Sequence, residues 1–153
     1  MEVVTITENK KQLLDLLLLG DEQEDMIDKY LPLCDLHVLY VGGSPASLCA
    51  VTREADGVIE IKNLATEPRE QKKGYGSYLL DYVSKKYQGQ GRLLQLGTGD
   101  VPWILRFYGS CGFQYDHSIP RFFTDNYREA MFEDGHQLID MIYLSKPLQA
   151  LVF

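Results

Sequence analysis

Residues 63–76 of the chain read Asn-Leu-Ala-Thr-Glu-Pro-Arg-Glu-Gln-Lys-Lys-Gly-Tyr-Gly. A β-rich run ends before Pro68 and a helical run begins at Tyr75, so a strand leads through a short loop directly into a helix. Glycines in such a loop let a ligand approach the backbone, and the amide N–H groups at a helix start favour an anion. The motif Gln-x-x-Gly-x-Gly, which begins at Gln71, therefore indicates a phosphate-binding turn.

The glycine spacing in this turn differs from the two phosphate loops that are recognised most often. The Gly-Lys-Ser/Thr end of a Walker loop is absent, and so is the Gly-x-Gly-x-x-Gly spacing of a dinucleotide fold. Lys72 and Lys73 add positive charge beside the glycines. On this segment alone, a glycine-rich helix start that binds nothing remains an alternative.

The periodicity of apolar residues predicts the other elements. Two short helices lie between residues 8 and 31, and three strands follow as an antiparallel meander, at residues 36–41, 47–53 and 58–66. After a helix from Tyr75 to Tyr87 come a buried strand, a short helix and two last strands, at residues 93–96, 102–111, 113–117 and 138–144. This order indicates an α+β fold, in which helices flank a largely antiparallel, twisted sheet with one strand–helix–strand crossover.

A second motif, Phe-Tyr-x-x-x-Gly-Phe, occupies residues 107–113. Gly112 suits the left-handed position just past a helix, and Phe113 can then fold back onto Phe107 or Tyr108. Alone, the segment is typical of a helix that packs aromatic rings and ends at a glycine. Together with the phosphate turn, one helix and one strand earlier, it closely resembles the GNAT superfamily of acyl-CoA-dependent N-acetyltransferases.

The resemblance is specific over residues 59–113, and the element order extends it over nearly the whole chain. The acidic C-terminal segment is similar to a bacterial GNAT subgroup that lacks an assigned substrate. The resemblance implies a GNAT-like fold, acetyl-CoA as the acyl donor, and a pyrophosphate site made by the loop and helix start: Gln71, Lys72, Lys73, Gly74, Tyr75, Gly76 and Ser77. It also implies that the pantetheine arm pairs like an added strand with the backbone of Leu64, Ala65 and Thr66.

In this family the strand before the turn is kinked, often by a β-bulge, which leaves an amide free to polarise the thioester carbonyl. The next strand, at residues 93–96, would splay away and open a cleft for the cofactor. Tyr108 matches the tyrosine that protonates the departing coenzyme A thiolate, with pure packing as its alternative. One departure is Val101, because many relatives carry Asn seven residues before this tyrosine.

A free amine must lose a proton before it attacks, since an alkyl ammonium has a pKa of about 10.4. Glu60 is the candidate base, because it occupies the position of the catalytic glutamate in the histone-acetylating branch of the family. The alternative is an outward-facing strand carboxylate beside Lys62. Many GNAT enzymes use no single side chain as the base.

Composition limits the remaining choices. The chain has 153 residues, 45% of them hydrophobic and 24% charged, which fits one globular domain over residues 1–153. A net charge of −7 argues against a nucleic-acid partner and fits a small or peptidic ligand, possibly a cation. No apolar run approaches a membrane span, and no secretory signal is visible. The three cysteines lack metal-type spacing, so we expect reduced thiols and a cytoplasmic protein.

Acidic and aromatic residues supply candidate contacts for the acceptor. The insert at residues 121–136 mixes aromatic rings with carboxylates, and five acids stud the second helix: Asp21, Glu22, Glu24, Asp25 and Asp28. Such a mixture can hold a cationic amine by ion pairing and cation–π contacts. A solvated acidic face is the alternative. His117 and His136 have no obvious ligand set, so we expect no metal.

These observations predict an N-acetyltransferase that moves an acetyl group from acetyl-CoA to a primary amine, by direct attack in a ternary complex. No covalent acyl-enzyme is expected, because no His or Asp pattern activates Cys111. The rival is a non-catalytic acyl-CoA-binding or regulatory module. A protein N-terminus or lysine is the alternative to a small amine as acceptor, and the apolar tail at residues 148–153 is a candidate homodimer contact.

Overall fold

The computed structural model describes residues 1–149. Their central element is a seven-stranded sheet, and two further short strands form a separate hairpin. The strands are β1 Glu2–Ile6, β2 Asp35–Val41, β3 Ser44–Arg53, β4 Val58–Thr66, β5 Leu93–Gly99, β6 Gln114–Ile119, β7 Phe132–Glu133, β8 His136–Gln137 and β9 Met141–Pro147. The sheet order is β1-β2-β3-β4-β5-β9-β6, and β7 and β8 form a separate hairpin. Only the β4–β5 pair is parallel within the described part, so the predicted α+β class is confirmed.

Helices cover both faces of the sheet. They are α1 Leu14–Gly20, α2 Glu24–Ile27, α3 Tyr75–Lys86, α4 Pro102–Ser110 and α5 Phe122–Asn126. Side chains alternate along β3, so Leu48 and Ala50 pack under α1 and α2, while Cys49 and Val51 pack under α3. Helix α3 connects the two parallel strands and is the predicted crossover. No helix in residues 1–149 is long and apolar enough to cross a membrane.

The first strand was absent from the sequence prediction. Residues Glu2–Ile6 pair antiparallel with β2, with Val4 opposite Val38. The run Val-Val-Thr-Ile does carry β-branched side chains, but the strand is short and only partly buried, so its alternation is weak.

The last strand also differs, since it begins at Met141 rather than at residue 138. Leu138 instead packs with Val101 and Phe123 in a small cluster beneath the insert. The insert itself contains α5 and the β7–β8 hairpin. Leu138 is therefore buried beneath the insert and does not belong to the sheet.

The turn after α4 folds Phe113 back onto Tyr108, as predicted. Gly112 has a φ of +96°, its N–H donates to Gly109 at 3.1 Å, and the N–H of Phe113 donates to Tyr108 at 3.1 Å. The rings of Tyr108 and Phe113 meet edge to face, with centroids 5.9 Å apart. These are the two hydrogen bonds and the apolar contact of a Schellman motif, and they fix the backbone of Tyr108.

The described part of the C-terminal tail packs on its own chain. Leu148 is buried, and its N–H donates to the carbonyl of Arg92 at 3.0 Å. The rest of the predicted dimer contact, residues 150–153, lies outside the described residues.

A pair of glycine substitutions should affect stability in opposite directions. At Gly91, a Cβ would lie 2.6 Å from the carbonyl oxygen of Gly57, so Gly91→Ala should cost about 1–3 kcal/mol of unfolding free energy. At Gly109, inside α4, a Cβ meets nothing within 4 Å, so Gly109→Ala should add about 0.5–1 kcal/mol. Urea denaturation measures both, and equal stabilities of the two variants would contradict the packing described.

Candidate functional site

A cleft of about 620 Å³ opens where β4 and β5 part. The two strands pair only as far as Ile61 opposite Leu96, although β4 continues to Thr66 and β5 to Gly99. Beyond Ile61, β4 therefore has no strand neighbour on the side of β5. The strands part as predicted, but only beyond Leu96, because the predicted residues 93–96 are the ones that pair with β4. The gap leaves backbone groups of β4 available to a ligand.

The predicted bulge lies at Lys62. Ile61 pairs with Val51 and Asn63 pairs with Ala50, so Lys62 is the extra residue of β4. Of the residues predicted along the pantetheine arm, Leu64 and Thr66 line the cleft, whereas the side chain of Ala65 is buried under α1.

Backbone donors gather at the start of α3. The first three N–H groups of the helix, from Tyr75, Gly76 and Ser77, have no acceptor within residues 1–149, and all three residues line the cleft. Gly74 precedes them with a φ of +85°, and Lys72 also adopts a left-handed backbone, with a φ of +64°. Such a concave row of free N–H groups at a helix start attracts an anion.

The two lysines of the turn have different surroundings. Lys72 lines the cleft and forms no ion pair within the described residues. Lys73 lies outside the cleft lining, and its ammonium pairs with Glu70 at 2.9 Å. Gln71 lines the cleft and donates to the carbonyl of Thr66 at 3.2 Å, which ties the turn back to β4. Lys72 is thus the lysine whose charge the turn offers to a ligand.

Tyr108 faces the cleft from α4. Its ring is held by Phe107, at 5.1 Å between centroids, and by Phe113. Its hydroxyl has no hydrogen-bond partner within residues 1–149, and burial raises its pKa well above the usual range. The proton therefore stays on the hydroxyl near neutral pH. Because a raised pKa makes the phenol a weaker acid, its transfer of a proton to a thiolate depends on close placement of the two groups.

Glu60 lies behind the cleft wall. It is 5% exposed and is not among the lining residues. Its carboxylate accepts a hydrogen bond from Gln95 Nε2 at 2.6 Å and pairs with Lys62 Nζ at 2.6 Å. Burial and the nearby Glu60 charge raise the pKa of Tyr143 to about 12. Because Lys62 lines the cleft, it is the group that links this carboxylate to the cavity.

The predicted acidic residues divide into two sets. Asp21 and Glu22 line the cleft, and Glu133 of the insert joins them. The other predicted acids form ion pairs outside the lining: Glu24 and Asp28 with Lys11, and Asp25 with Arg128.

The insert contacts the loop after α1 across the cleft. The hydroxyl of Tyr127 donates to Asp21 at 2.7 Å, and the N–H of Arg128 donates to Gln23 at 3.2 Å. At the end beside Asp21, the cleft is therefore bounded by the insert and by the loop after α1, which are far apart in sequence.

The histidines named from the sequence lie elsewhere. His117 stacks on Tyr143 with ring centroids 4.6 Å apart, and His136 belongs to the β7–β8 hairpin. Within residues 1–149, no group of three or more His, Cys, Asp and Glu side chains is placed to hold a metal ion.

Comparison with known proteins decides the family. The model of the "Acetyltransferase (GNAT) domain" matches residues 32–115. The uncharacterised N-acetyltransferase YvbK of Bacillus subtilis is 33% identical over 139 residues, or 90% of each chain. The chain belongs to the GNAT acetyltransferase family.

Two solved GNAT structures share the fold closely. A GNAT family acetyltransferase from Elizabethkingia anophelis with acetyl-CoA bound has a TM-score of 0.91 and 30% identity, covering 96% of this chain and 97% of the other. An acetyltransferase of Bacillus subtilis in complex with CoA has a TM-score of 0.86 and 31% identity, covering 99% of each chain. The predicted GNAT-like fold is therefore confirmed over almost the whole length.

The apolar side chain of Val101 has a structural use in this GNAT chain. It is fully buried with Phe123 and Leu138, and it precedes the first residue of α4. An apolar side chain here anchors the insert beneath the cleft, which an asparagine amide would do poorly.

Asn63 is the residue of the GNAT cleft that sequence reasoning missed. It lines the cleft and is 3% exposed, and its Nδ2 donates to the carbonyl of Leu17 at 2.9 Å and to the hydroxyl of Tyr30 at 3.0 Å. Its Oδ1 has no partner within residues 1–149. Asparagine is depleted in strands, so its place inside β4 was the available signal.

Proposed function

We propose that this GNAT acetyltransferase takes its acetyl group from acetyl-CoA and moves it to a primary amine, by direct attack in a ternary complex. The observation that carries the proposal is one continuous cleft, which joins the free N–H groups of α3 to the unpaired hydroxyl of Tyr108. The solved relatives that bind acetyl-CoA and CoA support this choice of donor.

In this proposal the donor lies along β4 and the start of α3. The pyrophosphate accepts hydrogen bonds from the turn and helix start, with Lys72 as the nearby positive charge. The pantetheine arm pairs with the free edge of β4 at Leu64, Ala65 and Thr66, as an added strand would. The bulge at Lys62 is where the regular pattern of strand amides is interrupted, and an amide freed there can polarise the thioester carbonyl.

The proposed reaction balances with two proton transfers. The amine nitrogen attacks the thioester carbonyl carbon, a tetrahedral intermediate forms, and the carbon–sulfur bond breaks. Tyr108 gives its proton to the departing thiolate. Glu60 is the proposed base, and because it lies behind the wall, the proton of the amine reaches it through a bridging water beside Lys62.

A small amine is the proposed acceptor. The contacts of Tyr127 with Asp21 and of Arg128 with Gln23 bound the acceptor end of the cleft. An extended peptide needs a groove that stays open at both ends, so these contacts favour a small molecule over a protein N-terminus or lysine.

Initial-rate kinetics test the ternary complex. With acetyl-CoA and a primary amine both varied, double-reciprocal lines should intersect, and Cys111→Ala should keep the wild-type rate. Cys111 is partly exposed, and its Sγ lies 4.0 Å from the hydroxyl oxygen of Ser77, with no base beside it. Parallel lines that disappear in Cys111→Ala would indicate an acyl-enzyme and contradict direct attack.

A further inference from the structure

The cationic side chains of the cleft lie at different positions along it. Within residues 1–149 the lining contains Lys62 on β4 and Lys72 in the turn before α3. Lys72 lies beside the free N–H groups that suit the pyrophosphate. Lys62 is the extra residue of the bulge and directly follows Ile61, which forms the last pair between β4 and β5 with Leu96. Lys62 is therefore the cation at the part of the cleft where the proposed reaction takes place.

The ion pair of Lys62 has its positive end towards the cleft. The Nζ atom lies 2.6 Å from Glu60 Oε2, and the side chain of Lys62 is 27% exposed against 7% for Glu60. Lys62 lines the cleft, whereas Glu60 does not. The other carboxylate oxygen of Glu60 accepts a hydrogen bond from Gln95 at 2.6 Å, which holds the carboxylate behind the wall. A ligand in the cleft therefore meets the ammonium before it meets the carboxylate.

The ammonium of Lys62 keeps hydrogen-bond donors for a ligand. An ammonium group has three N–H donors, and Glu60 is the ion-pair partner that Lys62 has within residues 1–149. The remaining donors of a partly buried ion pair need acceptors, because removing charges from water is costly. Since the exposed side of Lys62 faces the cleft, an oxygen of a bound ligand would supply such an acceptor.

A positive charge at this position suits an oxygen of the reacting group rather than the acceptor nitrogen. A nearby cation disfavours the ammonium form of an amine, so Lys62 does not serve to bind a protonated acceptor. Negative charge develops on the carbonyl oxygen instead, when the lone pair of the amine forms the carbon–nitrogen bond and the carbonyl π pair moves onto oxygen. This pair then reforms the carbonyl as the carbon–sulfur bond breaks, and the thiolate takes the proton of Tyr108.

We infer that Lys62 is a catalytic residue of the acetyl transfer, whose ammonium donates a hydrogen bond to the thioester carbonyl oxygen and stabilises the oxyanion that forms there. Glu60 orients this ammonium through the ion pair. The inference rests on the proposed acetyl transfer and adds a charged side-chain donor to the amide freed at the bulge. Preorganised donors aimed at such an oxygen are usually the largest single contribution to acyl transfer.

A matched pair of variants tests the inference on the full chain. Lys62→Met alone would leave the buried carboxylate of Glu60 without its cation and could unfold the protein, so Glu60→Gln is compared with the double variant Glu60→Gln/Lys62→Met. With acetyl-CoA and a primary amine as substrates, kcat of the double variant should be lower by about 100-fold, as for a lost oxyanion donor. The dissociation constant for acetyl-CoA should be the same in both. Equal kcat values would overturn the inference and leave acetyl transfer itself intact.

Lys85→Met is the control for removal of a lysine charge. Lys85 pairs with Asp81 at 2.9 Å on the exposed side of α3, and neither residue lines the cleft. This variant should keep the wild-type kcat. A loss in Lys85→Met as large as the loss caused by removing Lys62 would show a general effect of charge and contradict a role at the carbonyl.

Carbon-13 NMR separates this inference from the proposed function. Acetyl-CoA labelled at the carbonyl carbon is bound to saturation without any acceptor, and the carbonyl resonance is compared between the two variants. A hydrogen bond from an ammonium withdraws electron density from the carbonyl, so the resonance should lie further downfield in Glu60→Gln than in the double variant. This result supports the role of Lys62 even if no amine is acetylated, an outcome that would count against acetyl transfer alone. Identical resonances in the two saturated variants, or no binding of acetyl-CoA by the wild-type protein, would overturn the inference.

Discussion

Replacing Tyr108 with phenylalanine is expected to lower kcat by about 100- to 10,000-fold, the range of a lost general acid. Acetyl-CoA binding should be unchanged, because the ring keeps its contacts with Phe107 and Phe113. The substitution also leaves no protein group without a partner, since the hydroxyl has none within residues 1–149. Steady-state kinetics measure kcat, and calorimetry with acetyl-CoA measures binding.

Tyr115→Phe is the matched control for this experiment. Tyr115 is 66% exposed on β6, and its hydroxyl bonds to Ser118 at 2.9 Å, away from the cleft. The control should keep the wild-type kcat. Full turnover by Tyr108→Phe would instead remove Tyr108 from the mechanism and return it to a packing role.

Placing a carboxylate at Gly76 is expected to abolish acetyl-CoA binding, with a dissociation constant raised by at least about 100-fold. The added charge would lie among the free N–H groups at the start of α3 and would repel a phosphate there. The fold should tolerate the change, since a Cβ at Gly76 meets only Phe107, at 3.6 Å. Calorimetric titration measures the loss, and circular dichroism verifies the fold.

Gly109→Asp controls for the added charge. It puts the same carboxylate on α4, at a site where a Cβ has nothing within 4 Å. Binding of acetyl-CoA should persist in this variant. Wild-type affinity in Gly76→Asp would contradict a pyrophosphate site at the start of α3.

The parts of the fold that depend on local signals were predictable. The turn at residues 71–76 joins a strand to a helix through a left-handed position that glycine adopts easily, and Gly74 has a φ of +85° there. Gly112 ends α4 in the same way. The family resemblance also predicted a kink in the strand before the turn and a parting of the next strand. Both are present, the kink as a bulge at Lys62 and the parting beyond Leu96.

The parts that depend on contacts distant in sequence were not predictable. Strand β1 is defined by its pairing with β2, which lies some thirty residues away. Leu138 lies outside the last strand and is buried against Val101 and Phe123, which are distant from it in sequence. Tyr127 and Asp21 are in contact although more than a hundred residues separate them in sequence, so no local pattern predicts their contact.

For the candidate site, the sequence indicated which residues belong to it but not which side chains they pair with. The sequence indicated Glu60 and Lys73 as site residues, but their charges are engaged by Lys62 and by Glu70 respectively. Such pairings depend on which way each side chain turns from the loop or bulge. The unmet oxygen of Asn63 depends on Leu17 and Gly20 of α1 and on Tyr30 after α2, and only the assembled structure shows it.

The central claim is that the acetyl group of acetyl-CoA moves to an amine nitrogen at this cleft. The most direct test supplies acetyl-CoA carrying a carbon-13-labelled acetyl group together with a primary amine, and follows free thiol and product mass in the same reaction. We expect one labelled N-acetyl product for each coenzyme A thiol released, and neither in the absence of protein. Saturable binding of acetyl-CoA with no labelled product from any amine would contradict the claim and favour a non-catalytic acyl-CoA-binding module.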